Sequence, residues 1–391
     1  MLSDRQLELV LRDRVRFGAG AVTALPALVT ELGATRAFIV TDPGVVASGV
    51  AGRVADVLRG GGVAVGSWEG VEPNPGQRTV AAGAEAFRVF GTDGAVVVAL
   101  GGGSSMDTAK TLSLAAVNPG IAVGGLGWEN PACLDARPVL AIPTTAGTGA
   151  ETNTFGVITD EAIGRKEYIG HGSMLPLATV LDPELTLRLP PAATAATGVD
   201  AMTHSLESHL SRNPNPFAEA MALAVIRTVA AWLPRAVERG DDLEARSRML
   251  MASHLAGIGQ ASGTGVGLVH ALGHAIGTVG KLPHGTALAA VMPEVLAFYL
   301  GTRDRELALV AVALGVAGPR DPEAEAARAA VEGVEALLLA VGQRRTLADL
   351  GISPDLEDRI VQDALDDPAI TNSPRLPDRA QAAAMLAAVR S

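Results

Sequence analysis

The pattern of apolar residues changes character once, near residue 190, and that change limits the possible fold more than any other feature of the 391-residue chain. Before it, short β-branched runs, "RAFIVTD" (36–42), "GVAVGSWEG" (62–70), "GAVVVALGGGSS" (94–105) and "RPVLAIPTT" (137–145), alternate with other stretches. Those stretches, such as "GVAGRVADVLRGG" and "QRTVAAGAEAFRVFG", carry apolar residues at helical spacing. The resulting strand–helix–strand rhythm is that of a parallel sheet with crossover helices. "FGVITDEAIGRKEYIGH" (155–171) reads as a hairpin appended to that sheet, and "ATVLDP" (178–183) as its last strand. After "RLPPAATAATG" strand runs disappear, and Ala/Leu-rich helical patterns such as "EAMALAVIRTVAAWLPRAVE" dominate. Pro190 and Pro191 punctuate the change, since proline is tolerated in the first turn of a helix and disfavoured inside it. The expected organisation is an α/β domain over residues 1–190 and an all-α domain over 191–391. With 48% hydrophobic residues, the chain has enough apolar surface for two cores.

Charge and cysteine content exclude several classes of function. A formal net charge of −11 argues against a broad basic footprint for nucleic acid or for an anionic membrane surface. Cys133 is the only cysteine, which excludes an intrachain disulfide and a thiolate metal cluster and suits a reducing cytoplasm. The start "MLSDRQLELVLRDRVRFGAG" lacks a secretory pattern, and no uninterrupted apolar run approaches the roughly 20 residues of a membrane span. The expectation is a soluble cytoplasmic protein with neither nucleic-acid nor membrane partners.

"AVVVALGGGSSMDTAKTLSLAA" is a strand, three glycines and a helix. Gly101, Gly102 and Gly103 permit close backbone approach, and the N–H groups opening the helix, from Ser104 onward, suit a phosphate. A second reading of the same residues is a tight turn with Ser104 as N-cap and Asp107 completing a capping box, and the two are compatible. The spacing differs from the G-x-G-x-x-G fingerprint of the ordinary dinucleotide fold. "PTTAGTGAE" (143–151) brings hydroxyls, Thr144 and Thr145 among them, after the next strand. Asp42, ending the strand "FIVTD", is placed to accept from ribose hydroxyls and to repel a 2′-phosphate.

Three of the chain's seven histidines fall within "HALGHAIGTVGKLPHG" (270–285). His270 and His274 are four apart on one helix face, and His284 returns after a glycine-containing turn; upstream, Asp200 and His204 form another i, i+4 pair. Imidazoles with one carboxylate suit a divalent first-row ion such as Fe(II) or Zn(II). Spacing alone leaves open which of the three histidines are ligands. His171, His209 and His254 have no comparable partners and read as structural or surface residues.

Taken in order, "GGGSSMDTAK", "PTTAGTGAE", "TGVDAMTHSLE", "GLVHALGHAIG" and "LPHG" resemble the iron-containing (group III) alcohol dehydrogenase family, and the similarity runs from "FGAGAVTAL" to "DPAITNSPR". The resemblance implies a dehydroquinate synthase-like architecture, with a Rossmann-like parallel-sheet domain that binds NAD(P) followed by a helical domain. It implies one divalent metal held by Asp200, His204, His270 and His284, with His274 beside the nicotinamide as catalytic neighbour. It also places cofactor contacts at Asp42, in NAD-preferring members, at Gly101, Gly102, Gly103, Ser104, Thr144 and Thr145, and at Lys166 near the ribose. The implied reaction is NAD-dependent hydride transfer between a small primary alcohol and its aldehyde, carried out by a homo-oligomer, a dimer, with the metal polarising the alcohol or carbonyl oxygen. The segment "AGIGQASGTGVGLVH" departs from the family, with Gln260 and glycines where an aromatic residue is usual. Together with Lys281, Arg165 and Lys166, this raises an alternative substrate, a small anionic aldehyde such as a semialdehyde or phosphonoaldehyde. A sugar-phosphate cyclase of the dehydroquinate-synthase type is a second alternative; it calls for a Glu, His, His set rather than Asp200 with three histidines. A non-enzymatic nucleotide sensor is a third.

Overall fold

The computed structural model describes residues 11, 14–162 and 164–391. The chain divides into two compact units, one comprising Leu11–Thr145 with Gly149–Arg188, the other Leu189–Ser391 with Ala146–Thr148.

In the first unit the elements run β1 (Val15–Phe17), α1 (Leu25–Glu31), β2 (Arg36–Val40), α2 (Pro43–Ala47), α3 (Val50–Gly60), β3 (Ala64–Trp68), α4 (Gln77–Phe90), β4 (Ala95–Gly101), α5 (Gly103–Val117) and β5 (Val139–Pro143). They continue with β6 (Phe155–Asp160), β7 (Arg165–Gly170) and β8 (Ala178–Leu181). Six strands form a sheet in the order β1-β8-β5-β4-β2-β3, and every pairing in it is parallel. Along β4 the side chains alternate between two cores. Val96, Val98 and Leu100 join Leu28, Val54 and Leu58 on one face, while Val97 and Ala99 join Val80, Phe87 and Leu112 on the other. Burial on both faces explains why β4 reads as one continuous apolar run.

Two features of this unit differ from the sequence expectation. β1 is a three-residue edge strand whose residues are all exposed, so it offers no apolar pattern to read. The hairpin β6–β7 is a separate antiparallel sheet rather than an extension of the large one. It packs against α5 through Gly156, where a Cβ would stand 2.3 Å from Thr111 Oγ1.

The second unit is helical: α6 (Pro191–Leu210), α7 (Pro216–Glu238), α8 (Leu243–Gly259), α9 (Leu268–Gly280), α10 (His284–Phe298), α11 (Asp304–Leu314), α12 (Glu323–Ala340), α13 (Glu357–Leu365) and α14 (Arg379–Ala388). Proline and acidic or amide caps start several of these helices. Pro191 opens α6, and Asn215, Asp242 and Asp378 accept first-turn N–H groups of α7, α8 and α14. One core joins Val199, Met202 and Leu206 of α6 to Leu268, Leu272 and Ile276 of α9 and to Leu288, Met292 and Val295 of α10. By length and composition α7 could cross a membrane. In the fold it packs on α6 and α8 along one face, burying Ala222, Val225, Ile226, Val229 and Leu233.

Candidate metal centre and nucleotide cradle

Helix α6 presents Asp200, His204 and Glu207 at i, i+4 and i+7, one face of two turns, and all three are buried. Around Asp200 Oδ1 stand His204 Nδ1 at 3.7 Å, His270 Nε2 at 3.6 Å and His284 Nε2 at 3.6 Å. These separations are too long for hydrogen bonds. They match the spacing of donors about a shared ion, since two ligands each about 2.1 Å from a tetrahedral centre are about 3.4 Å apart. Asp200 Oδ1, His204 Nδ1 and His270 Nε2 are buried without a hydrogen-bond partner, the condition of donors arranged for something other than one another. The tightest set is Asp200, His270 and His284, whose ligand atoms lie within 4.8 Å of one another; His204 stands outside that set while still facing the same oxygen. The residues therefore fit a divalent ion with nitrogen and oxygen ligands.

Helix α9 carries His270 and is capped from another element. Its N-cap, Gly267, has no capping side chain of its own. Glu207 supplies the missing acceptor: Oε2 accepts from Gly267 N at 2.7 Å, and Oε1 accepts from Val269 N at 2.7 Å and His270 N at 3.3 Å. Oε2 also meets His270 Nδ1 at 2.6 Å, which turns Nε2 toward Asp200. Burial alone would push the His270 ring down, but the carboxylates of Glu207 and Asp200 outweigh it and lift its pKa to about 9. Burial would likewise raise Asp200 and Glu207, yet the surrounding imidazoles hold both carboxyls below their ordinary values. His204 has the opposite balance, and burial lowers it. The field around the cluster is thus negative enough to suit a cation.

His274 lies one turn along α9 from His270. Its Nδ1 faces Asp367 Oδ2 at 2.8 Å, and its ring stacks on that of His284 with centroids 5.3 Å apart. Lys281, at the C-cap of the same helix, is exposed in a left-handed conformation with φ 52°. The segment Gln260–Thr264 is a kinked turn, with Gly263 at φ 90°, and its hydroxyls bond within the fold: Ser262 Oγ donates to Ile258 O and Thr264 Oγ1 to Gly259 O.

In the other unit, the carboxyl ends of the neighbouring strands β2, β4 and β5 bring Asp42, the glycine loop and Thr144 together, the place where parallel sheets hold ligands. Asp42 caps α2, with Oδ1 accepting from Val45 N at 3.0 Å and Oδ2 from Ser105 Oγ at 3.1 Å. Gly101 has φ 145°, and a Cβ there would stand 2.4 Å from Ser105 Oγ and 3.1 Å from Asp42 Oδ2. A Cβ on Gly102 would stand 3.2 Å from Thr145 Cγ2, and Thr144 N donates to Gly101 O at 2.9 Å.

The expected capping box is absent. Gly102, not Ser104, is the N-cap of α5, and no side chain caps that helix. Asp107 turns instead to Lys110, 3.3 Å from its Nζ, because that buried ammonium needs a counter-charge. Gly103 and Ser104, in the first turn, therefore leave N–H groups for an anion. Lys166 lies on β7, where its charge helps to lower an Asp107 carboxyl that burial raises.

Sequence reasoning missed Glu207, Asp367 and Lys110. Glu207 had a readable signal, its place seven residues after Asp200 on the ligand face of α6. Lys110, fully buried, donates to Ala150 O, Asn153 Oδ1 and Phe155 O, tying α5 to the segment before the hairpin. The remaining histidines are structural: His209 bonds Glu306 O, His254 is buried in α8, and His171 pairs with Ser173 Oγ.

Residues 13–183 match the iron-containing alcohol dehydrogenase family, and residues 194–389 match the C-terminal part of the Fe-containing alcohol dehydrogenase family. The lactaldehyde reductase of Escherichia coli (strain K12) is 36% identical over 371 residues, covering 94% of this chain and 95% of that one. The NAD-dependent methanol dehydrogenase of Bacillus methanolicus is 34% identical over 359 residues, covering 92% and 93%. The crystal structure of a 1,3-propanediol oxidoreductase superposes with a TM-score of 0.94 at 31% identity, covering 98% of this chain and 100% of that one.

Proposed function

The chain belongs to the iron-containing alcohol dehydrogenase family, and we propose that it interconverts a small uncharged primary alcohol and its aldehyde, using NAD and one divalent ion, Fe(II) or Zn(II), held by Asp200, His204, His270 and His284. The observation that carries this reading is Asp200 Oδ1 ringed by three imidazole nitrogens at 3.6–3.7 Å. When bound, the ion supplies a Lewis acid for the alcohol or carbonyl oxygen and the nicotinamide a hydride acceptor or donor.

The chain's own residues do the rest. One carboxylate with three neutral imidazoles leaves a divalent ion net positive, which keeps it electrophilic. His274 holds or moves the proton of the substrate hydroxyl. Asp42 accepts from ribose hydroxyls; the backbone from Gly101 to Ser104 receives the pyrophosphate; Thr144, Thr145 and Lys166 complete the cofactor contacts. Two of the relatives are named for small substrates, methanol and lactaldehyde. Lys281, one of the three cations that raised an anionic aldehyde, is exposed, and the hydroxyls of Ser262 and Thr264 are committed within the fold. The reading extends to a cytoplasmic homo-oligomer, a dimer. The lone thiol suits a reducing compartment, and among the described residues no strand pairs with the outer edge of β1, where Val15 and Phe17 are exposed.

The test is NADH oxidation by protein loaded with Fe(II) or Zn(II), across short uncharged aldehydes and semialdehydes of matched length. Turnover should be faster with the uncharged members. A consistent advantage for the semialdehydes would establish the anionic alternative, and no turnover with any aldehyde or alcohol would overturn the reading.

A further inference from the structure

We propose that Asp367 is a positioning residue that locks the His274 ring in the tautomer able to take a proton at Nε2; this rests on the role given to His274 above. Asp367 precedes the short helical turn Pro368–Asn372 and uses both oxygens: Oδ1 accepts from Ala369 N at 2.8 Å, and Oδ2 meets His274 Nδ1 at 2.8 Å. An ionised carboxylate can only accept, so Nδ1 carries the hydrogen and the ring's lone pair is at Nε2. Burial would raise the Asp367 carboxyl, but the bond from His274 and the Ala369 N–H hold it below its ordinary value and keep it ionised.

The turn cannot drift from α9. Asn372 Nδ2 donates to Val266 O at 3.0 Å, in the segment that leads into α9, and Asn372 O accepts from Arg212 N at 3.0 Å. Ala369 and Ile370 are buried in the helical core.

The same device serves His270 one turn earlier, where Glu207 occupies Nδ1. What differs is where the second nitrogen stands. His270 Nε2 faces Asp200 at 3.6 Å, whereas His274 sits one turn further along α9 with its ring stacked on His284, beside the ligand cluster. Two rings locked in one way on one helix face are thus divided between ligation and proton transfer. In alcohol oxidation the proton released when the substrate O–H bond breaks would form N–H at His274 Nε2, and a bound nicotinamide would supply the acceptor for the hydride lost from carbon. The imidazolium so formed is stabilised by the Asp367 carboxylate. Reduction reverses each transfer.

The test compares Asp367→Asn and Asp367→Ala with the parent, all loaded with diamagnetic zinc, by nitrogen NMR on isotope-labelled histidine and by steady-state kinetics. Seven histidines keep the spectrum assignable, with His274→Gln as the reference for subtraction. In the parent His274 should be protonated at Nδ1. In Asp367→Ala it should shift toward Nε2–H, with metal content intact and kcat lower by about 10–100-fold while KM is little changed. An Nε2–H tautomer in the parent, or a tautomer that Asp367→Ala leaves unchanged, would overturn the proposal. An Nδ1–H parent and a shifted Asp367→Ala, with no turnover of any alcohol or aldehyde by the parent, would sustain the positioning role and overturn the functional reading.

Discussion

Gly285 lies so close to α6 that a Cβ placed on it would stand 1.8 Å from the carbonyl oxygen of Ala196. Ala196 is one turn before Asp200, and Gly285 directly follows His284, so this contact sets how closely the carboxylate and the third imidazole approach. Gly285→Ala should therefore push the start of α10 off α6. We expect a loss of about 1–3 kcal/mol, as for other insertions into packed interiors, together with reduced metal content. Thermal unfolding and metal analysis read both, and an unchanged Tm with full metal content would show that the contact relaxes without consequence.

What could be read from the sequence is what has a period. The β4 run reads as a strand because both its faces are buried, and His270 and His274 read as a pair because four residues make one helical turn. β1 was not legible, being three exposed residues paired, among the described residues, with β8 alone. The Ser104 cap failed because the carboxylate that would complete it is drawn to a buried lysine, a preference set by tertiary burial. Glu207 and Asp367 reach their histidines from 63 and 93 residues away, and Asp367 has no spacing that links it to α9. Carboxylates that orient ligands are long-range partners, and local pattern records them only when, like Glu207, they share a face with a ligand.

Ligation and proton handling should separate on substitution. His204→Ala and His270→Ala remove nitrogens that face Asp200 and should lose bound metal, whereas His274→Ala should keep its metal and lose turnover. Metal analysis of the purified variants decides the matter. Normal metal in His270→Ala with none in His274→Ala would exchange the two roles.

Asp42 should make the protein prefer NADH to NADPH. Its carboxylate is pinned at the end of β2 by Val45 N and Ser105 Oγ, so it cannot swing away from a 2′-phosphate. Asp42→Ser keeps a capping oxygen for α2 and removes the charge. We expect kcat/KM for NADPH to rise relative to NADH in that variant. Equal efficiency with both cofactors in the parent would place Asp42 outside the ribose site.

Asp242 caps α8, the helix that leads into the kinked turn Gln260–Thr264, and its carboxyl is held below 3.8 by the Ala245 N–H and by Arg235. A depressed folded pKa contributes stability that is fully present above the unfolded value and is lost as pH falls through the folded one. Asp242→Asn should therefore lower Tm at neutral pH and flatten the acid branch of the Tm–pH curve below that value. If parent and variant curves stay parallel into acid, the cap carries no charge-dependent stability.

Glu207 joins stability and ligation in one side chain. It accepts three backbone N–H groups that start α9 and also the Nδ1 hydrogen of His270, so its two oxygens are fully used. In Glu207→Gln the amide nitrogen must face one of these donors, leaving a buried N–H without an acceptor and costing about 1–3 kcal/mol. Relaxed orientation and lower basicity of His270 should weaken metal binding by about 10–100-fold. Competition against a chelator of known affinity measures the second effect independently of turnover, and unfolding of the metal-free protein measures the first. Loss of stability with unchanged metal affinity would reduce Glu207 to a helix cap and leave His270 oriented by its own packing.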